Sequence, residues 1–206
     1  MSEIEEKINN LIIKYREELK DKIDTRMIEM QEDDTSHYFI YKVLGIKENE
    51  GLLIDEYQNK GRFLYKYAGS FLEEATIICF ENTFNNAKRK VMIENTIGYR
   101  PKRFEIDCLV DDKYACEIKW RDATTDGDHI TKEHTRVKNI KEKGYIPVRI
   151  MFYYPNREQA IRIQETLKTI YNGVGGEYYS GDEAWNYIKR MTGIDLYSIL
   201  EKSIEE

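Results

Sequence analysis

Apolar residues recur at three- and four-residue intervals along the first thirty positions: Ile4, Ile8, Leu11, Ile12, Tyr15, Leu19, Ile23 and Met27. That spacing lines one face of a helix over about Ser2 to Met30 and leaves the other face solvated. Ser2 followed three residues later by Glu5 has the form of a capping box. Such a helix packs either on the core or on a partner subunit. Glu32 to Ser36 is a polar break. Tyr38 to Leu44 predicts a strand or a short helix, and Leu52 to Tyr57 is short and ambiguous. Gly61 to about Arg89 predicts a second long helix through Phe71, Leu72, Ala75, Ile78, Cys79 and Phe80, starting somewhere between Arg62 and Gly69.

The period then changes. Phe104, Ile106, Cys108 and Val110 alternate with Glu105, Asp107 and Leu109, and Asp111, Asp112 and Lys113 supply a turn before an extended run from Tyr114 to Trp120. This pattern predicts a β-hairpin. Thr125 or Asp126 caps a helix to about Lys143, stopped by Gly144. Tyr145 to Tyr154 reads as a buried strand. Pro155 and Asn156 open a helix through Ala160, Ile163, Leu167 and Ile170, and Gly173 to Gly181 reads as a loop. Asp182 caps a helix carrying Trp185, Ile188 and Met191, and a last helix covers about Leu196 to Ser203. The order predicts an α/β fold with a small mixed sheet flanked by helices. Residues 1–35 form an N-terminal helical segment and 36–206 one domain.

With 206 residues, 41% of them hydrophobic, the chain suffices for one well-buried core. The net charge of -6 argues mildly against a nucleic-acid partner. Phosphate attraction depends on where charge sits, however, and the middle of the chain is basic. Lys88, Arg89, Lys90, Lys102 and Arg103 form one strip, and Lys132, Arg136 and Lys143 recur along one helix face, interrupted by neutral Asn139. Cys79, Cys108 and Cys116 have neither zinc-type spacing nor a disulfide framework. The charged start lacks a signal-peptide core and no apolar run approaches a membrane span, so no membrane is expected and the cytoplasm is the default location. No Gly-rich phosphate loop or nucleophile arrangement supports a metabolic enzyme.

The candidate chemistry lies in the hairpin. With Asp111 to Lys113 as the turn, Cys108 pairs with Cys116, Asp107 with Glu117 and Glu105 with Lys119. Paired residues share a face, so Glu105, Asp107, Glu117 and Lys119 project together, and a one-residue slip would scatter them. Two adjacent carboxylates repel unless a cation neutralises them. A divalent cation does this better than a lysine and keeps positions open for water and phosphate. It can polarise a phosphate and lower the pKa of a bound water. Lys119 would then orient or deprotonate that water, its pKa lowered by the cation, or stabilise charge on the phosphate. The bland alternative is a surface ion-pair ladder that contributes little.

Asp107, nine intervening residues, then Glu117-Ile118-Lys119 resembles the bipartite motif of the PD-(D/E)XK nuclease superfamily, with Ile106 standing where the signature has proline. The longer run from Cys116 to His129, together with Gly144-Tyr145-Ile146-Pro147-Val148-Arg149 and Tyr154-Pro155-Asn156-Arg157, resembles the ApaLI-like family of type II restriction endonucleases. The resemblance covers about Gly61 to Leu196. It implies a restriction-endonuclease-like core with Asp107, Glu117 and Lys119 as catalytic residues. It also implies Mg2+ dependence, with Mn2+ as a substitute, and double-strand cleavage leaving 5′-phosphate ends. The superfamily often adds an acid from the helix before the hairpin. Glu74, slightly ahead of Glu73, is that candidate here, and Glu105 is a candidate for supporting the site.

Arg121, Asp122, Thr124, Thr125, Asp126, Asp128 and His129 directly follow the candidate strand, and Arg and acidic groups suit guanine and cytosine edges. With Lys132 and Arg136 they are the candidate DNA contacts, although Thr125 and Asp126 also suit simple helix capping. Cutting two antiparallel strands at a palindromic site calls for two sites, hence a homodimer, with the N-terminal helix one possible dimer element. A cognate DNA methyltransferase is expected in the host, outside any complex. The alternatives are a junction-resolving or repair nuclease of the same fold, or a non-catalytic DNA-binding module.

Overall fold

The computed structural model describes residues 2–121 and 127–205. The elements run α1 (Glu3–Glu32), α2 (Tyr38–Val43), α3 (Glu48–Thr83), β1 (Lys88–Glu94), β2 (Arg103–Val110), β3 (Tyr114–Lys119), α4 (Gly127–Glu142), β4 (Ile146–Met151), α5 (Glu158–Gly173), β5 (Glu177–Ser180), α6 (Asp182–Thr192) and α7 (Leu196–Glu205). The chain divides into two compact units, one of Met1–Ile8 with Leu72–Glu206 and one of Asn9–Phe71. The boundary expected near residue 35 therefore falls inside the second unit.

The second unit is helical. α1 and α3 run antiparallel, since Tyr15 meets Tyr67 and Phe71 while Arg26 Nε donates to Asn59 Oδ1 at 3.2 Å. α2 is the short helix of the two options for its segment. It is tied to α3 by Tyr41 Oη donating to Asp55 Oδ1 at 2.9 Å. The ambiguous segment around Leu52 belongs to α3, which starts at Glu48 and not beyond Arg62.

The first unit carries a five-stranded sheet in the order β1-β2-β3-β4-β5. β1, β2 and β3 pair antiparallel, and β3, β4 and β5 pair parallel. The parallel pairs need crossovers, which α4 and α5 supply. This is the mixed sheet flanked by helices that the pattern predicts. The core includes Ile93, Phe104, Ile106, Leu109, Ala115 and Ile140, all buried. The capping box forms: Ser2 N donates to Glu5 Oε2 at 2.7 Å and Glu5 N to Ser2 Oγ at 3.3 Å. The helix expected to start at Asp182 is instead capped by Gly181, which has no side chain to contribute. Gly144, at φ +84°, ends α4 as expected, with Tyr145 N donating to Ile140 O.

Two strands escape the sequence reading. β1 takes residues assigned to the tail of a helix, and β5 lies within the expected loop Gly173 to Gly181. β1 is an edge strand with Lys88, Arg89 and Lys90 exposed, and charged residues of this kind guard edges against further pairing. Among the described residues no helix is long and apolar enough to cross a membrane. Cys79, Cys108 and Cys116 are free and buried, and burial pushes the thiols of Cys79 and Cys108 up to about 12, so they behave as small apolar residues.

Candidate active site

The hairpin turn sets the register. Asp111 and Asp112 take φ of 56° and 45°, a conformation that Asp tolerates better than most residues, and Lys113 N donates to Val110 O at 3.1 Å. Val110 then pairs with Tyr114, Leu109 with Ala115 and Cys108 with Cys116, as the count from the turn predicts. The ladder was expected to continue through Asp107 and Glu117, and here it changes. Ile118 N donates not to a main-chain carbonyl but to Asp107 Oδ2, at 2.7 Å. The aspartate side chain is thereby folded back against β3. Across β1, the position opposite Asp107 is Lys90, between the pairs Arg89–Cys108 and Val91–Ile106, and its φ is +52°. Such a conformation is uncommon for a lysine in a strand and is a local strain beside the candidate acid.

Asp107, Glu117 and Lys119 converge. Lys119 Nζ lies 2.6 Å from Glu117 Oε1 and 3.7 Å from Asp107 Oδ2. Asp107 and Glu117 are 7% and 5% exposed, so an ordinary surface ladder is ruled out as the description of this cluster. Lys119 is about one-third exposed and reaches from the buried acids toward solvent.

Burial and the neighbouring Glu117 charge push Asp107 up to about 7, against the pull of Lys119 and of the Ile118 amide. Burial would also raise Glu117, but Arg136 and Lys119 together override it and hold that carboxyl well below the usual range. Burial would lower Lys119, yet Glu117 and Asp107 outweigh it and the ammonium is held above its ordinary value. The lowered lysine expected for a general base is therefore not what these neighbours alone produce.

The residue missed as a partner of this cluster is Arg136. It was expected on an exposed basic row with Lys132. Lys132 is exposed, but Arg136 is 9% exposed and its guanidinium bonds Glu117 Oε2 and, at 2.7 Å, Glu105 O. The inward stripe of α4 is Glu133, Arg136, Val137 and Ile140, all buried, and it takes Arg136 with it. That apolar spacing was the available signal. Arg136 Nη1 also lies 3.6 Å from Glu133 Oε2. Glu133 in turn receives Arg149 Nη1 at 3.4 Å and the Tyr171 hydroxyl at 2.5 Å. Arg149 stands beside Glu117 in the β3–β4 register. Three acids (Asp107, Glu117, Glu133) and three cations (Lys119, Arg136, Arg149) thus form one connected network, buried except at Lys119.

Of the two helix glutamates, Glu74 lies 3.7 Å from Arg89. Glu73 is the one that feels the cluster. It is half-buried and raised by desolvation, with the charges of Lys119, Glu117, Lys90 and Glu105 all acting on it. Adjacent helix positions point about a quarter-turn apart, so the two carboxylates face different neighbours. Glu105 is exposed, and its carbonyl, not its carboxylate, serves the site. The strip on β1 is partly neutralised: Lys88 pairs with Asp112 at 2.5 Å and Arg89 with Glu81 at 2.5 Å.

Arg121 is exposed, its guanidinium 5.5 Å from the Trp120 ring centre. Asp122, Thr124, Thr125 and Asp126 lie outside the described residues. Asp128 and His129 fall in the first turn of α4, and their side chains are likewise outside what is described.

Among the described residues no three metal-ligating side chains converge. The two acids still fit a hard cation. Mg2+ is bound through one or two carboxylates and keeps several waters. A carboxyl raised to about 7, first by burial and then by a like-charged neighbour, marks a place where one more positive charge is stabilising. Asp107 Oδ1, which accepts no hydrogen bond from the described residues, offers the open ligand position.

Comparison with curated proteins and with solved structures found no match. The model of the ApaLI-like restriction endonuclease family matches residues 1–205, and the chain belongs to that family.

Proposed function

We propose that this restriction endonuclease is a type II enzyme that hydrolyses double-stranded DNA at a specific, palindromic site in a Mg2+-dependent reaction, leaving 5′-phosphate ends. The observation that carries the reading is the single Lys119 ammonium set against two buried carboxylates, 2.6 Å from Glu117 and 3.7 Å from Asp107. Asp107 and Glu117 would hold the ion, and Glu73 stands near enough to feel the Glu117 charge. Bound there, Mg2+ supplies Lewis-acid polarisation of the phosphate, and Mn2+ would substitute.

The chain's own residues do the positioning. Ile118 N–H and Arg136 fix one oxygen on each acid, so the two carboxylates keep their aim without the ion. Lys119, protonated and partly exposed, presents N–H donors to the scissile phosphate and stabilises charge that grows on its oxygens. A water oxygen bonds to phosphorus as the bond to the 3′ oxygen breaks. The 3′ oxygen ends as a hydroxyl and the phosphate stays on the 5′ side. Arg121, beside the strand, and Lys132, exposed on α4, would contact the DNA.

Cleavage of both strands at a palindrome needs a second copy of this site, so the enzyme would act as a homodimer. The helical unit exposes large apolar side chains that a partner copy would cover, Phe39, Val43, Leu44 and Tyr57 among them at 66–73%. Digestion of long duplex DNA with Mg2+, followed by sequencing of the ends, tests the proposal. Discrete fragments with one symmetric end sequence and ligatable 5′-phosphates are expected. A smear, or cutting confined to branched DNA, would overturn it.

A further inference from the structure

β3 and β4 stay paired beyond Lys119: Phe152 N donates to Lys119 O at 3.0 Å and Tyr153 N to Trp120 O at 2.9 Å. Directly past that point, at the carboxyl ends of the two parallel strands, a cleft of about 430 Å³ opens. It is lined by Trp120, Arg121, Tyr153, Tyr154, Asn156 and Arg157, with Pro155 between them. Carboxyl ends of parallel strands are where open α/β sheets take ligands, and the volume is that of a small-molecule site.

The walls are braced from outside the cleft. The Tyr153 ring meets Trp185 of α6 edge-on at 6.4 Å, and the Tyr154 hydroxyl donates to Glu165 of α5 at 2.7 Å. Both tyrosines line the cleft and nevertheless remain 38–50% exposed. Three aromatic rings, two guanidinium groups and one carboxamide make a composition with a chemical meaning. Aromatic faces stack on nucleobases, arginine binds phosphate, and Asn can both donate to and accept from a base edge.

We infer that this cleft receives one nucleotide of the DNA strand beside the scissile phosphate, its base against Tyr153 and Trp120 and its phosphate against Arg157 or Arg121. The inference rests on the nuclease reading above and adds a subsite to it. A base within a duplex shows only its edges, so a base filling the cleft has left the helical stack. Trp120 follows Lys119 directly, about 3.8 Å along the chain, so the proposed nucleotide lies within a few positions of the cut.

The test starts from the cleavage position mapped on plasmid DNA with Mg2+. Duplex oligonucleotides carrying that site are made with the base removed at one position at a time. Their binding is measured by fluorescence anisotropy with the full chain carrying Asp107→Asn, with and without Tyr153→Ala, after melting curves show both proteins folded. Tyr153→Ala is expected to weaken binding of the intact duplex about tenfold. Base removal loses the stacking contact but also spares the cost of unstacking that base, so its own effect on affinity has no fixed sign. At one position near the cut it should make the affinity insensitive to Tyr153→Ala, since each change removes one side of the same contact. A Tyr153→Ala loss that persists at every abasic position, which would make the cleft a backbone contact, or a Tyr153→Ala protein that binds the intact duplex within twofold of its parent, would overturn the subsite. Failure of the unsubstituted protein to cut duplex DNA with Mg2+ is a separate result that strikes the nuclease reading itself.

Discussion

Asp107→Asn should lose duplex cleavage by on the order of a thousandfold and at the same time melt higher than the wild type at neutral pH. The loss follows from removing a carboxyl whose Oδ1 accepts no hydrogen bond from the described residues. The gain follows from electrostatics. Asp107 is raised from an ordinary carboxyl to about 7 in the fold, chiefly by burial and then by Glu117. A group that binds its proton more tightly folded than unfolded makes the fold less stable as pH rises. The cost is absent below the unfolded pKa near 4, grows between pH 4 and 7, and is complete above 7. The amide has no such charge and can still accept from Ile118 N. In chelator at pH 8 the variant is therefore expected to melt on the order of 5–10 °C above wild type, with the difference shrinking steadily toward pH 4. Mg2+ should raise the melting temperature of the wild type and leave the variant unmoved. Melting curves across this pH range, with and without the ion, check all three statements. A variant that melts below wild type at pH 8 would contradict them.

Arg136→Ala should be the most destabilising single change at the site. It strips Glu117 of one of the cations paired with it, takes a partner from Glu133 and removes a donor from the Glu105 carbonyl. Breaking a buried pair by removing one member costs about 3–5 kcal/mol, because the remaining charge stays buried. For a chain of this size that is a fall in melting temperature on the order of 10 °C. Arg136→Lys keeps the charge but cannot reach Glu117 and the Glu105 carbonyl with one planar group. It should recover part of the stability while single-turnover cleavage stays depressed and DNA affinity is nearly unchanged. A loss under 1 kcal/mol for the alanine variant, measured by denaturant unfolding, would mean that the network does not hold Glu117.

Much of this site is legible in the chain because strands have a period of two. Alternation from Phe104 to Val110, an Asp-Asp-Lys turn and the resumption at Tyr114 fix the pairs from Val110–Tyr114 to Cys108–Cys116, and hence the shared face of Asp107, Glu117 and Lys119. The departure just beyond Cys108 is not legible. It depends on a side chain, Asp107, taking a main-chain amide that a regular ladder would give to a carbonyl. Arg136 is hidden by a competing pattern. Its four-residue spacing from Lys132 suggests an exposed basic row, whereas the apolar positions Val137 and Ile140 place the stripe containing 133 and 136 inward. β1 is hidden because Lys88, Arg89 and Lys90 continue the composition of the helix before them, and the edge that they protect exists only once β2 is in place. β5, four half-buried residues among glycines, carries too short an alternation to be told from a loop.

The central claim is that Asp107, Glu117 and Lys119 act together on a phosphodiester. Single-turnover cleavage by Lys119→Ala on duplex DNA with Mg2+, alongside its affinity for the same DNA, tests that claim most directly. Cleavage lost by on the order of a thousandfold with binding within about threefold of wild type is the predicted result. Cutting at the wild-type rate would contradict it.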